Sequence, residues 1–124
     1  MKDGIVIKHD GRFHHTREFE QDGRRVAWSD RILLPGPDGC NVKLTRFRCQ
    51  PGAFFEGITY SVDETVCVVQ GTMEIWVEGG DRHWLSAGAT YHVRAGIAYN
   101  VKVDTYLILI CFFSAVGDIL PDDK

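Results

Sequence analysis

Between Val42 and Phe113 the chain is a succession of short β-prone runs, VKLTRFRC, MEIWV, TYHVR, YNVKV and YLILICFF among them, cut apart by glycine-bearing turns. β-branched and aromatic residues suit a pleated backbone and Gly, Pro, Asn and Asp interrupt it, so this rhythm predicts roughly nine or ten strands closing into an all-β barrel or sandwich. No stretch shows the spacing of an amphipathic helix. The centre of the series is Gly52 to Gly71, GAFFEGITYSVDETVCVVQG. Alternate side chains of a strand share a face, so Ile58 and Tyr60 are expected to point one way and Thr59 the other. Glu64 follows the turn Ser61-Val62-Asp63 and can return to the face of Ile58 and Tyr60 on the next strand.

At these positions the chain resembles the cupin family of small β-barrels. The family's first motif, G-x5-H-x-H-x3-E-x6-G, reads here as Gly52, Ile58, Tyr60, Glu64 and Gly71 at the family spacing. Its second, G-x5-P-x-G-x2-H-x3-N, reads as Gly88, Arg94, Gly96, Tyr99 and Val103. The glycines and the glutamate are kept and all three histidines are replaced. The resemblance implies a single-domain cupin-like barrel, a double-stranded β-helix or jelly roll, that has lost its usual metal centre and needs no cofactor. It also makes a homodimer an expectation, since dimers are common in the family.

A length of 124 residues suits one domain with its own core, so the whole chain 1–124 is read as one, with 1–24 as an N-terminal arm. A net charge of −3 gives no electrostatic reason to bind nucleic acid. Cys40, Cys49, Cys67 and Cys111 form no C-x-x-C pair, and free thiols in a reducing compartment are the plain reading. The N-terminus lacks the apolar core of a signal peptide. The longest greasy run, Tyr106 to Val116, is about half the ~20 residues a membrane helix needs. A cytoplasmic protein with no membrane association is expected.

Elsewhere, Ile5-Val6-Ile7 suggests a short strand, and adjacent His14 and His15 suit a surface or subunit contact better than a metal. Arg25 to Leu34 reads as a strand running into a loop at Pro35 to Gly39. Arg46 and Arg48 share one side of the strand Val42 to Cys49; solvent is the simpler destination for both, with Arg48 also a candidate to meet an anion inside the barrel. The last strand is apolar on both faces, so a partner subunit or the N-terminal arm should cover its outer side. The tail Asp118 to Lys124 is acidic and expected to be loosely held.

Without the histidines, Glu64 alone cannot hold a divalent ion, since Ile58 offers no donor and neutral phenols are weak ligands. A carboxylate kept in an apolar barrel either finds hydrogen-bond donors or has its pKa raised by desolvation. By the resemblance, Tyr60 and Tyr99 lie beside it, which gives an acid/base site suited to proton removal next to a carbonyl in an isomerase, lyase or cyclase. His92 would add a proton shuttle, although alternation allows only one of Tyr91 and His92 to face inward. Ile58, Arg48, Phe54, Val66, Met73, Trp76, Tyr106 and Ile108 are the candidate substrate walls, fitting a hydrophobic, aromatic or polyketide-like small molecule. The same pattern also suits a non-catalytic binding or sensing barrel, in which Glu64, Tyr60 and Tyr99 form a satisfied polar cluster. A cupin oxygenase with unusual metal ligands is the third alternative.

Overall fold

Alternation along each strand decides which residues this chain buries, and two antiparallel sheets share the buried side. The computed structural model describes residues 3–114; the acidic tail and the end of the last apolar run lie outside the described residues. The larger sheet has the order β1-β2-β3-β10-β5-β8 and the smaller the order β4-β9-β6-β7. Their strands are β1 (His15–Gln21), β2 (Arg24–Leu33), β3 (Val42–Cys49), β4 (Phe54–Ile58), β5 (Glu64–Gln70), β6 (Thr72–Trp76), β7 (His83–Ser86), β8 (Thr90–Val93), β9 (Tyr99–Val103) and β10 (Leu107–Ser114). This is the all-β jelly roll expected of a cupin. Its core is formed by inward residues of both sheets, with Val66, Met73, Val103 and Leu107 fully buried.

Three of the inward rows that the register fixes across the larger sheet frame the site. Ser29 on β2 stands opposite Phe47 on β3, then Leu109 on β10 and Val68 on β5. The next row runs Arg31, Thr45, Cys111, Val66 and on to Tyr91 of β8. The third runs Lys43, Phe113, Glu64 and Val93. Because side chains alternate, the intervening residues Asp30, Arg46, Arg48, Ile108, Thr65 and His92 belong to the outer face.

Several local expectations are corrected. Ile5 to Ile7 form no strand, and Ile5 and Ile7 are exposed; β propensity does little without a ladder to join. The Pro35 to Gly39 loop contains a single helical turn, α1 (Pro35–Asp38). Asp38 holds that turn by accepting the Leu34 N–H at 2.8 Å, while Gly39 closes it at a φ of 67°. His14 and Lys8 bind the same carboxylate at 2.7 and 2.9 Å, and this cluster keeps it ionised down to about 2. The arm follows the edge of the sheet as β1, and Asp10 and Phe13 meet Arg46 on the outer face. It therefore covers the β2–β3 side and leaves Phe112 of β10 38 % exposed.

Gly71 shows why a motif glycine is kept. It is the single residue between β5 and β6, where the chain crosses from one sheet to the other, and its φ is 90°. A Cβ there would sit 2.1 Å from the Tyr106 carbonyl oxygen, so both the backbone angle and the space exclude any other residue. Among the described residues no helix is long and apolar enough to cross a membrane, and all four cysteines are free.

Candidate functional site

Between the two sheets lies a cavity of about 340 Å³, at the lower end of the range for small-molecule sites. Glu64 enters it as the first residue of β5 and Tyr99 as the first of β9, so acid and phenol come from opposite sheets. Both are 4 % exposed, and the Tyr99 hydroxyl donates to Glu64 Oε1. Burial pushes the Glu64 carboxyl up to about 7, and the bond from Tyr99 offsets part of that rise. Burial and the neighbouring Glu64 charge drive Tyr99 in the same direction, so its phenol stays protonated and acts as a donor.

Tyr60, Ile58 and Tyr91 line the same space. Tyr60 packs edge-on against Phe113, with ring centroids 4.8 Å apart. Thr59 also lines the cavity, against the expectation that it would face away. β4 ends at Ile58, so regular alternation no longer governs the following residue. At another wall Phe19, Phe47 and Phe55 meet edge to face, at centroid separations of 5.5 to 5.9 Å.

The remaining expected residues lie elsewhere. His92 faces outward, with Nδ1 2.7 Å from the Thr65 hydroxyl and Nε2 3.2 Å from Asp63; Tyr91 takes the inward place. Arg48 also faces outward, where Nε and Nη2 donate to the two Asp30 oxygens at 3.0 and 3.1 Å. Arg46 and Thr16 bind the same carboxylate at 2.9 and 2.7 Å, so the outer arginines satisfy a buried acid while remaining partly exposed to solvent. Tyr106 lies near Arg48 and favours its charge, and Ile108 stands opposite Arg48 on the outer face. Phe54 and Trp76 stack outside the chamber, at 5.9 Å and 12°, with Arg82 3.9 Å above the indole. Val66 and Met73 point inward but are spent in the close-packed core and do not reach the cavity.

Sequence reasoning missed the two cations on the wall, Arg31 and Lys43, which are 3 % and 2 % exposed. The available signal was phase: Arg31 stands two residues from Ser29 and Lys43 two from Thr45, in step with the buried Ala27 and Cys49.

The chemistry of the donor set does not fit the divalent ion of metal-binding cupins. At the four positions of the motif, Ile58 has no donor atom, Tyr99 commits its proton to Glu64, and Tyr60 is a further phenol. Among the described residues no three His, Cys, Asp or Glu side chains gather as a ligand group.

Comparison with known proteins sets this geometry in context. Residues 39–108 match the profile of the EutQ-like cupin domain. The ectoine synthase of P. lautus superposes with a TM-score of 0.74 at 21 % identity, covering 89 % of this chain and 78 % of that one. A cupin superfamily protein of Desulfitobacterium hafniense gives 0.64 at 13 %, covering 73 % and 78 %. A variant of the salicylate 1,2-dioxygenase of Pseudoaminobacter salicylatoxidans, in complex with gentisate, gives 0.64 at 15 %, covering 73 % of this chain and 26 % of that one. Comparison with curated protein sequences gives no match.

Proposed function

Because this chain belongs to the family of EutQ-like cupin domains, we propose that its chamber is a metal-independent acid/base site that removes a proton next to a carbonyl in a small organic substrate. The observation that carries this reading is Glu64, a buried carboxyl raised to about 7 that faces a cavity and holds one phenolic donor. A base tuned near the working pH is present in its ionised form and is still strong enough to accept a proton from carbon.

In the forward step Glu64 takes the proton and the C–H electron pair moves into the carbonyl, making an enolate oxygen. A phenol on the wall, Tyr60 or Tyr91, donates to that oxygen. Glu64 then returns the proton to a different carbon, as in an isomerase, or to a departing group, as in a lyase or cyclase. The aromatic walls Phe47, Phe55 and Phe113 select an apolar or aromatic body. Among the cupin neighbours, the ectoine synthase and the salicylate dioxygenase are named as enzymes on small molecules, which is consistent with a chamber used for chemistry.

The bond between Tyr99 and Glu64 satisfies both groups and so equally suits a chamber that only binds. Proton exchange separates the two readings. In D2O, a panel of aryl ketones followed by proton NMR should lose its signal at the carbon next to the carbonyl faster with the protein than without it. Glu64→Gln should slow that exchange by ~10²–10⁴-fold with the fold intact. Exchange unaffected by the substitution, or absent for compounds that bind, would establish a binding barrel.

A further inference from the structure

Three phenols line the cavity, Tyr60, Tyr91 and Tyr99, and their positions give them different duties. Tyr99 donates to Glu64 Oε1. Tyr60 follows the end of β4 and is packed edge-on against Phe113. Tyr91 stands on β8, where its register partner is Val66 and that of Glu64 is Val93. Glu64 and Tyr91 are therefore diagonal neighbours on the inner face of one strand pair, about 7–8 Å apart and within the reach of an aromatic side chain. Among the described residues the Tyr91 hydroxyl makes no hydrogen bond, and the side chain lines the chamber. Burial and the neighbouring Glu64 charge keep this phenol in its protonated form.

The outer face of the same two strands holds Tyr91 in place. β8 is four residues long and lies at the edge of its sheet, with a ladder on one side only. Behind the chamber His92 is the register partner of Thr65, and its ring bonds both Thr65 and Asp63. The other Asp63 oxygen accepts the Ala95 N–H at 2.8 Å. Asp63 and Thr65 flank Glu64 in the chain and His92 follows Tyr91, so these outer bonds fix the spacing of acid and phenol within.

We propose that Tyr91 is the catalytic phenol of this chamber, donating to the enolate oxygen while Glu64 takes the proton from the adjacent carbon, and that phenols and other stable enols are its ligand class. An enolate and a phenolate present the same planar oxyanion next to a trigonal carbon, so a donor aimed at one serves the other. His92 acts from behind as a positioning residue. The part played in proton removal rests on the acid/base reading above; the preference for a phenolic oxygen does not.

The probe is 4-nitrophenol, whose absorbance reports its ionisation while bound. At pH 6, where Glu64 is mostly protonated, the wild type should bind it at least about 10-fold more tightly than 4-nitroanisole, the worth of one charged hydrogen bond. That comparison needs no variant to fold. The ratio of phenolate to neutral phenol affinity is then measured in Glu64→Gln, which removes the competing carboxylate. Adding Tyr91→Phe should lower this ratio at least about 10-fold, and adding Tyr60→Phe should change it less than about 2-fold. His92→Val should lower it too, and His92→Gln, which can donate and accept in the same place, should restore most of it. Equal affinity for 4-nitrophenol and 4-nitroanisole, binding of neither, a ratio that survives Tyr91→Phe, or one that falls as far in Tyr60→Phe would overturn the inference. A ratio indifferent to His92→Val would overturn the positioning role. Proton exchange is a separate readout, so failure of the acid/base reading alone leaves the phenolate preference in place.

Discussion

Replacing Glu64 by Gln keeps an oxygen to accept the Tyr99 hydroxyl and removes the titration, so the pH dependence of stability isolates the cost of burying this acid. A carboxyl raised from 4.5 to about 7 on folding differs between the two states by about 3 kcal/mol, at ~1.4 kcal/mol per pH unit. The sign follows from proton binding. Below pH 4.5 folded and unfolded chains both carry the proton, and the acid costs nothing. From there to pH 7 the unfolded chain has released its proton while the folded chain retains it, so wild-type stability falls as pH rises. Above pH 7 both are ionised and the full penalty of about 3 kcal/mol persists. The difference in unfolding free energy, Glu64→Gln minus wild type, should therefore grow by about 3 kcal/mol between pH 4 and pH 8. Any fixed cost of the amide is a constant offset. Urea unfolding at half-unit pH steps measures the difference directly, and in thermal melts it corresponds to a swing on the order of 10 °C. Parallel curves for the two proteins would mean that Glu64 titrates as an ordinary carboxyl, and the tuning on which the proposed chemistry depends would be absent.

Two further substitutions test neighbouring parts of the same reasoning. Tyr99→Phe removes a hydrogen bond that holds the Glu64 pKa down, so the rising limb of the pH profile for proton exchange should move above its wild-type position near pH 7; an unmoved limb would refute the coupling. Gly71→Ala forces a Cβ to within 2.1 Å of the Tyr106 carbonyl at a φ of 90°, and should cost more than about 2 kcal/mol in urea unfolding. A loss under about 0.5 kcal/mol would show that the crossover between sheets is not fixed by this residue.

Much of the architecture could be read from residues alone. The glycines at 52, 71, 88 and 96 all adopt positive φ, and together with Glu64 they are what remains recognisable of the two motifs. The strand Val42 to Cys49 has the limits that its composition suggested. What alternation could not supply was the choice of face. In β3 it was Arg48 that drew attention as a candidate, yet the chain turns Lys43 and Thr45 inward and gives both Arg46 and Arg48 to Asp30. A lysine normally reads as solvent-facing, and only pairing with β2 and β10 fixes its inward phase. The same ambiguity misplaced Ile108, since both faces of β10 are apolar. It also separated Phe54 from Phe55, adjacent rings of which one stacks on Trp76 outside and the other meets Phe47 within.

The bond from Tyr99 to Glu64 joins the smaller sheet to the larger, and it is made at Oε1, while a carboxylate has a second oxygen that can take a substrate proton. An incoming molecule can therefore engage Glu64 with the phenol still in place and the tie between the two halves of the barrel intact. Occupancy and seam strength are then independent, and amides near Tyr99 should exchange with solvent no faster when the chamber is filled by a molecule that reaches Glu64 than by one that stops at Phe113.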